Sequence, residues 1–454
     1  MAHVGGSVTG STNQPVGRAA RAVNDPGWAT IAAVAGRKVG HVRERVPAIV
    51  VARGPTALGT LRSLRMAGIP AYVACPPGDL ATRSRWYRPV PGDSGWDGSV
   101  GPHVHSILRS LPLPRAVLIP GRDDAALWIA NLPQGDLADR FRVSSSARAS
   151  LEILQDKARF GAFLASTSMP HPRTFAVDSA ADIGAIPCDE LDRVFIKPVD
   201  SQRFSQAYGA KGLWAADRDQ FEAIWRPLDR RGFKVIAQEY VPGSAADHYF
   251  LDGFRDRGGA LAGLFARRRR RIYPADFGNS SYCESVPLAE LGDTAARLEA
   301  LLAQLSYRGI FSAEFKRDAR CGTLRILEVN TRAWWYVEFA ARCGVNVCQM
   351  AHDDALDRPV RVPSRWYALG AGCVNLDGDL KAVLGRGAVR TEPLARTLVN
   401  WARAHCHVFR WDDPWPALAG LWERMRQRLL PRRGAGAHAG DSPPVHPPPV
   451  PLSK

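Results

Sequence analysis

The sequence predicts an α/β fold that gives way to an α+β region further along the chain. From Pro47, short apolar runs alternate with amphipathic stretches, and beyond residue 190 strand-like runs follow one another closely. The chain has 454 residues, of which 46% are hydrophobic, and this length suffices for two to four domains with cores of their own. The composition excludes a wholly disordered, collagenous or disulfide-stapled chain.

The first regular region is predicted to contain a βαβ unit. Apolar runs of four to six residues indicate buried strands, and the amphipathic spacing between them indicates helices. The predicted elements are a strand (48–52), a tight turn (54–59), a short helix (60–68), a second strand (69–75) and a third strand (116–121) followed by a helix through Trp128 and Ile129. Together they predict an α/β layer over residues 46–143.

The next region is predicted to open with a helix and to continue as a series of strands. Ser146 is the candidate N-cap, and Leu151, Leu154 and Phe160 recur behind it at helical spacing. Recurring leucines predict another helix over 288–305. The predicted strands are 193–198, 235–241, 248–254, 260–266, 310–316 and 324–330.

Composition divides the chain into five predicted segments. Residues 1–45 are rich in Gly, Ser, Ala and Val without sustained periodicity, and residues 432–454 are rich in proline. Both ends are therefore predicted to be disordered. Between them we predict domains over 46–143 and 144–360 and a C-terminal accessory region over 361–431.

No apolar stretch approaches the roughly 20 residues that a membrane-spanning helix needs. The eight cysteines are scattered, without a C-x-x-C pair. We therefore expect a cytoplasmic protein with reduced thiols and no membrane partner.

The net charge is +16, from 60 Lys and Arg against 44 Asp and Glu, and its distribution along the chain is uneven. Residues 1–45 and 418–454 each carry six basic and two acidic side chains, and the run 267–271 adds five adjacent arginines. The last segment includes a predicted amphipathic basic helix near 417–430. A nucleic-acid interface needs basic residues across a folded face with aromatic residues between them. This distribution therefore argues against a nucleic-acid partner.

The predicted strands 310–316 and 324–330 carry acidic side chains that a hairpin would bring together. If they pair, Glu314 lies near Glu328, since neighbouring strands are about 4.8 Å apart. In the second strand, the residues that alternation places on one face are Leu324, Ile326, Glu328 and Asn330. Two carboxylates and an amide oxygen suit Mg²⁺. A solvated hairpin face is the alternative, and the spacing alone favours neither.

Residues 311–332 resemble the metal-binding signature of ATP-grasp enzymes, and other motifs of that family occur in the expected order. The resemblance spans about 116–355. It implies a Rossmann-like pre-ATP-grasp domain followed by a two-subdomain ATP-grasp fold. It also implies that Glu314, Glu328 and Asn330 coordinate Mg²⁺ on the phosphates of ATP, with Mn²⁺ as an alternative metal.

The same resemblance assigns the ATP-binding residues. Lys157 and Lys197 are similar to the two lysines that reach the phosphates, and YGAKG (208–212) is similar to the loop that covers them. QEYVPG (238–243) is similar to the hinge that holds the adenine. The implied nucleotide-binding residues are Lys157, Lys197, Gly209, Lys211, Gln238, Glu239, Tyr240 and Val241. Taken alone, Lys197 could be an ordinary strand end and Glu239 could face solvent.

Residues 267–285 further resemble the carboxylate–amine ligase branch that includes proteins similar to D-aspartate ligase and carbamoyl-phosphate synthase. In that branch a basic pair precedes a Tyr-Pro and a Gly-Ser-Ser-type loop, which implies functional roles for Arg269 and Arg271. Arg332 would bind the transferred phosphoryl group or the substrate carboxylate. The alternative for run 267–271 is a solvated edge strand, along which alternation would point Arg267, Arg269 and Arg271 the same way.

The resemblance implies an ATP-dependent ligase that forms an acyl phosphate, joins a small carboxylate to an amine and releases ADP and phosphate. One rival hypothesis is a catalytically weak ATP-binding regulatory protein of the same fold. A nucleic-acid-associated protein driven by its basic ends is the other. The oligomeric state is left open, with a homodimer as one option.

Overall fold

Three β-sheets surrounded by helices make up the described part of the computed structural model. The described residues are 46–92, 95–132, 135–191, 193–210, 212–275, 278–360, 367–385 and 392–429. The two ends that are predicted to be disordered, 1–45 and 432–454, lie outside these ranges, as does Lys211.

The first sheet is parallel and has the strand order β2-β1-β3-β4. Every residue of its central strand β1 is buried, as expected for a strand covered on both faces. The strands are β1 (Ala48–Val51), β2 (Ala71–Ala74), β3 (Ala116–Pro120) and β4 (Phe141–Arg142). The helices are α1 (Gly54–Met66), α2 (His103–Ser110), α3 (Asp123–Ala130) and α4 (Asp136–Arg140). The predicted βαβ unit is present.

The predicted tight turn at 54–59 is wrong, because helix α1 already begins at Gly54. Proline in the first turn favours this start, since its fixed φ suits a helix and its missing N–H is not needed there. The Gly54 N–H donates instead to Asp79 Oδ2 at 2.8 Å. The helix is therefore six residues longer at its N-terminus than its amphipathic part suggests.

The second sheet is antiparallel, with the order β5-β8-β6-β7. Its strands are β5 (Thr174–Val177), β6 (Val194–Pro198), β7 (Leu213–Ala215) and β8 (Val235–Glu239). The helices of this region are α5 (Arg148–Gln155), α6 (Lys157–Ala165), α7 (Ala180–Gly184), α8 (Ser201–Tyr208) and α9 (Arg218–Arg230).

The predicted N-cap at Ser146 is also wrong. Its hydroxyl donates to the Arg308 carbonyl at 2.8 Å, and α5 begins two residues later without a side-chain cap. Asp156 interrupts the helical stretch and caps α6, because its carboxylate accepts from the N–H groups of Ala158 and Arg159. One predicted helix is thus two, and Lys157 opens the second.

The third sheet has seven strands in the order β13-β12-β9-β10-β11-β14-β15 and is antiparallel except for β14 and β15. Its strands are β9 (His248–Arg255), β10 (Leu261–Tyr273), β11 (Asn279–Ser285), β12 (Gly309–Arg317), β13 (Leu324–Asn330), β14 (Gly372–Val374) and β15 (His405–Cys406). Its helices are α10 (Thr294–Gln304), α11 (Val337–Arg342) and α12 (Val347–Ala355). Gly292, at φ +57°, separates α10 from a short 3₁₀ turn, so the single helix predicted over 288–305 is wrong.

The C-terminal part of the described chain contains α13 (Leu376–Leu384), α14 (Leu394–Arg403) and α15 (Trp415–Leu429). Strands β14 and β15 of this part extend the same sheet that holds the predicted metal-binding hairpin. The domain boundaries predicted from composition stay predictions. Within the described ranges, no helix is long and apolar enough to span a membrane.

His405 and His407 lie at the β15 edge of the third sheet, and they predict that the protein loses stability at acidic pH. Burial lowers the pKa of His407 to about 4, and it also lowers that of His405 to about 4. Because unfolded histidine titrates near pH 6.5, the unfolded state binds more protons between pH 6.5 and 4. The stability should therefore fall as the pH falls through this window, by about 3 kcal/mol for His407.

The His407→Gln variant tests this expectation, because glutamine keeps an N–H donor for the Trp335 carbonyl, which lies 2.6 Å from His407 Nε2. Urea unfolding at pH 7 and pH 4.5 should show a smaller loss in the variant than in the parent chain. Equal losses would show that His407 is not responsible.

Candidate active site

The acidic hairpin forms as the sequence predicts. Strands β12 and β13 pair antiparallel, with Glu314 opposite Glu328 and Ser312 opposite Asn330. The side chain of Glu314 is 16% exposed, and Ser312 is almost fully buried. The alternative of a solvated hairpin face is therefore wrong.

A β-bulge in β13 changes which residues share a face. The register shifts after Glu314, so that Phe315 pairs with Ile326 and Leu327 becomes the additional residue. Leu324 and Ile326 consequently pack in the hydrophobic core. The prediction that all four alternating residues of this strand share one face is wrong, since the bulge lets the strand alternate toward the core at one end and toward Glu314 at the other.

Glu314 is held by two basic side chains. Its Oε1 lies 2.8 Å from His248 Nδ1 and accepts from Arg269 Nη2 at 3.1 Å. Burial raises the pKa of the Glu314 carboxyl, but Arg269 and His248 outweigh it and hold the pKa well below its usual range. Burial, together with Arg269, lowers the pKa of His248, whereas its hydrogen bond to Glu314 raises it. Glu314 is thus an anion at neutral pH.

The two predicted lysines approach the same site from the second sheet and its helices. Lys197 Nζ on β6 donates to Gln238 Oε1 at 3.2 Å, and Lys157 Nζ donates to the Val199 carbonyl at 2.8 Å. Burial lowers the pKa of Lys197, Glu328 and Glu314 raise it, and Lys157 lowers it. The structure therefore brings Lys197 within electrostatic reach of the acidic hairpin and Lys157 within electrostatic reach of Lys197.

The predicted adenine hinge begins at the end of β8. Glu239 is buried, and its carboxylate accepts from Arg320 Nη2 at 2.7 Å and Arg325 Nη1 at 3.1 Å. It does not face solvent, so that alternative is wrong. Tyr240 packs edge-on against Trp214 with ring centroids 4.8 Å apart.

Three further residues of the predicted adenine hinge and phosphate-covering loop are Gln238, Val241 and Gly209. Gln238 also donates from Nε2 to Thr174 Oγ1 at 3.0 Å, and Val241 is buried. Gly209 follows α8 at φ +67°, a left-handed conformation that favours glycine, so the predicted phosphate-covering loop begins where the helix ends.

The arginine run lies on β10, which is an interior strand between β9 and β11. The interpretation as a solvated edge strand is therefore wrong. Arg267, Arg269 and Arg271 are all buried, but the pairing with β11 shifts between Arg269 and Arg271, so the predicted alternation is interrupted there. Their partners differ as well.

Arg269 joins the site through Glu314 and also donates from Nε to Ser280 Oγ at 2.9 Å. Arg271 instead donates to both oxygens of Asp379 on α13 and, at 2.6 Å, to Glu392. Arg269 therefore lies at the acidic hairpin. Arg271, the second arginine that the resemblance implies, pairs instead with Asp379 and Glu392 in the C-terminal part of the described chain.

Arg332 lies just beyond Asn330 and is held by Asp123 at the start of α3. The pairing is bidentate, with Nε to Oδ1 at 2.9 Å and Nη2 to Oδ2 at 3.1 Å. Nη2 also donates to Asn330 Oδ1 at 3.2 Å, and Asn330 Nδ2 donates to Glu328 at 3.2 Å. A chain of polar contacts thus links the first sheet's helix to the acidic hairpin.

Sequence reasoning missed two residues of this site, His248 and Asp123. His248 belongs to β9, which pairs with β12, and Asp123 belongs to the first parallel layer. The available signal was weak in both cases: a histidine at the start of a predicted strand and an acidic residue after a strand-to-helix turn.

The donor set fits a divalent cation of the Mg²⁺ type. Among the described residues, no group of three or more His, Cys, Asp and Glu side chains is arranged to hold a metal. Any such site at the hairpin therefore depends on the Asn330 amide in addition to Glu314 and Glu328. Three hard oxygen donors leave positions for phosphate oxygens and water, which is how Mg²⁺ is usually held beside nucleotides.

Solved structures of ATP-grasp proteins match most of this chain. N5-carboxyaminoimidazole ribonucleotide synthetase from Thermus thermophilus matches with a TM-score of 0.53 at 15% identity, over 72% of this chain and 81% of that one. Phosphoribosylglycinamide synthetase from Anaerococcus prevotii matches with a TM-score of 0.52 at 13% identity, over 72% and 80%. The biotin carboxylase domain of the Hydrogenobacter thermophilus 2-oxoglutarate carboxylase, a dimer in complex with MgADP, gives 0.53 at 14%, over 72% and 73%. The chain therefore has the ATP-grasp fold.

A curated relative points to the ligase branch of this fold. D-aspartate ligase from Enterococcus faecium is 22% identical over 212 residues, which are 45% of this chain and 50% of the relative. The matched region thus spans about half the length of the curated relative. No family model matches the sequence. The predicted resemblance to ATP-grasp ligases that form C–N bonds is confirmed by these relatives.

Proposed function

We propose that this protein is an ATP-dependent carboxylate–amine ligase that works through an acyl phosphate. The observation that carries the proposal is the convergence of Glu314, Glu328 and Asn330 with two lysines and Arg269 around one hairpin. Phosphoryl transfer needs positioning and charge neutralisation rather than covalent chemistry by the protein, and this site supplies both.

The acidic hairpin, through Mg²⁺, and the lysines would each neutralise part of the negative charge on the nucleotide phosphates. Glu314, Glu328 and Asn330 would hold Mg²⁺, which supplies neutralisation of phosphate oxygens when bound. Lys157 and Lys197 would neutralise the remaining phosphate charge. Gln238 orients Lys197, because its side-chain oxygen accepts from the ammonium group and its amide is fixed by Thr174.

Arg332 would bind the substrate carboxylate. Its Nε and Nη2 donate to Asp123 in a bidentate pair, so a substrate carboxylate would take the place of Asp123 at the same fork. In the first step, a carboxylate oxygen attacks the γ-phosphorus and the bond to ADP breaks. In the second, the amine attacks the acyl carbon, phosphate leaves and the amine loses a proton.

A screen of pooled carboxylates and amines tests this proposal, with ADP release and the mass of the condensed product as readouts. ADP should form only when a carboxylate and an amine are both present. Glu328→Gln should abolish release, whereas Glu222→Gln, on the exposed face of α9, should leave it intact. ATP binding without turnover across a broad panel would contradict the ligase and favour a regulatory nucleotide-binding protein.

A further inference from the structure

A helix near the end of the described chain, α15, carries a row of large apolar side chains that are exposed. Trp415, Leu418, Trp422 and Met425 recur on α15 at helical spacing, and each is exposed. Trp411 precedes the helix with 91% of its surface exposed, against 63% for Trp415 and 66% for Trp422. We call these five residues the tryptophan surface. Exposed patches of this kind usually mark an interaction site.

Residues 421–426 of α15 are exposed on all sides of the helix rather than along one stripe. Each residue from 421 to 426 is exposed, including Leu421 between the members of the tryptophan surface. Its first turns pack near the start of the chain's first layer, close to the 3₁₀ turn Leu80–Arg83. The beginning of the helix is therefore packed, whereas residues 421–426 are exposed.

The neighbouring helices expose leucines as well. Leu376, Leu380 and Leu384 follow one another at intervals of four on α13, and each is exposed. The buried face of the same helix carries Asp379, which is held by Arg271. The distance from Arg424 Nε on α15 to Asp377 Oδ1 on α13 is 4.0 Å, so the two helices are neighbours. Apolar exposure is thus continuous across this end of the molecule.

The charge around the tryptophan surface indicates which kind of partner it would bind. The described residues 394–429 contain six arginines and three acidic residues. Asp413, one of the three, is fully buried against Arg62 and does not offset the surface charge. A second copy docked by the same face would place arginines against arginines, which is repulsive. An anionic partner is therefore favoured over self-association.

Among anionic partners, a lipid surface fits the residue types best. Tryptophan side chains favour the headgroup region, because the ring is apolar and the indole N–H remains hydrogen-bonded. Arginine side chains lay their methylene stems on apolar surface and keep the guanidinium among phosphates. An amphipathic helix with both residue types lies in the plane of the interface without crossing it.

We propose that α15 and Trp411 dock this protein on the surface of an anionic bilayer, with the tryptophan surface in the headgroup region. The inference is independent of the proposed ligase activity, because no residue of the acidic hairpin takes part. It is compatible with the absence of a spanning helix in the described ranges, since docking of this kind is peripheral.

Co-sedimentation of the full chain with vesicles tests the proposal. Vesicles of phosphatidylcholine with about 30 mol% phosphatidylglycerol should bind the protein about tenfold or more tightly than phosphatidylcholine alone, and added salt should weaken binding. Tryptophan fluorescence should shift to the blue on binding. Absence of sedimentation with anionic vesicles would overturn the proposal.

Three variants make the test specific. Trp415→Gln combined with Trp422→Gln should abolish binding, and Arg424→Gln combined with Arg426→Gln should weaken it about fivefold per arginine. Met66→Gln removes an exposed apolar side chain from α1 and serves as the matched control that binds normally. Circular dichroism verifies that each variant folds. Equal binding by the tryptophan variant would overturn the proposal.

Gel filtration and competition experiments with the same variants test whether another partner binds the tryptophan surface in place of a membrane. A dimer that the tryptophan substitutions dissociate would show that a second copy covers the surface, and it would overturn the membrane proposal. An acidic soluble protein that competes with vesicles and binds more tightly than they do would overturn it in the same way.

Discussion

Replacing Asp413 by alanine is expected to lower the free energy of unfolding by about 3–5 kcal/mol. Asp413 is fully buried, and its Oδ2 accepts from Arg62 Nε at 3.0 Å, Arg62 Nη2 at 2.9 Å and Ser84 Oγ at 2.8 Å. Its Oδ1 accepts from the Arg85 N–H at 2.9 Å. The Arg62 side chain is also fully buried, so the substitution leaves a buried guanidinium without its main counterion.

Urea unfolding measures this loss, with Asp412→Ala as the matched control. Asp412 is the preceding residue and pairs with Arg410, but its side chain is 52% exposed, so its removal should cost less than about 1 kcal/mol. Replacing both charges, with Arg62→Met and Asp413→Leu, should recover part of the lost stability because no unpaired charge remains. An Asp413→Ala variant as stable as the parent would contradict this account.

The same ion pair explains how distant parts of the chain are joined. Arg62 lies on α1, and Asp413 lies 351 residues later, just before α15. Arg62 also donates to Glu338 on α11, and Glu338 in turn accepts from Arg410. These ion pairs therefore connect the segment before α15 to α1, beside the first sheet, and to α11, beside the third sheet. A pairing over such a separation leaves no periodic signal in a sequence.

The features that the sequence predicted well are local ones. Alternation along a strand depends on neighbouring residues, and Arg267 and Arg269, which precede the irregularity in β10, are both buried as alternation predicts. The hairpin of Glu314 and Glu328 was predictable because a short turn joins its strands. The order of the nucleotide-binding motifs was sufficient to indicate the fold.

The features that were missed depend on contacts between separate elements or on single-residue irregularities. The bulge at Leu327 adds one residue to a strand, and nothing in the composition of that strand marks it. The alternative of a solvated edge strand stayed open for the arginine run, because its pairing with β9 and β11 is a matter of topology. The resemblance implies a functional role for Arg271, and its pairing with Asp379, on a helix about a hundred residues away, is a contact that the sequence does not predict.

Asp123, the partner of the proposed catalytic residue Arg332, is also distant from it in the sequence. Asp123 lies 209 residues before Arg332, at the first turn of α3, where acidic residues are favoured by the helix dipole. Its position in a predicted helix after a strand carries no signal for this pairing. The structure shows that Asp123 presents a carboxylate to Arg332.

Replacing Arg332 by alanine is expected to reduce kcat by about 10³-fold or more, while the affinity for ATP changes little. Arg332 contacts Asn330 and Asp123, whereas the proposed phosphate-binding lysines are held elsewhere, by Gln238 and the Val199 carbonyl. The substitution therefore removes the carboxylate fork and leaves the lysines in place. The kcat for ADP release and the Kd of a non-hydrolysable ATP analogue, measured separately, distinguish the two effects.

Arg332→Lys refines this prediction, because lysine keeps the positive charge and loses the planar fork. Its kcat should lie between those of the parent and Arg332→Ala if both charge and geometry contribute. Arg148→Ala, which removes an exposed arginine paired with Glu152 on α5, should leave kcat unchanged. If Arg332→Ala instead weakened binding of the ATP analogue and left kcat intact, the arginine would be a nucleotide ligand. The substrate carboxylate would then need another basic partner, and Arg269, already beside Glu314, is the one that the site offers.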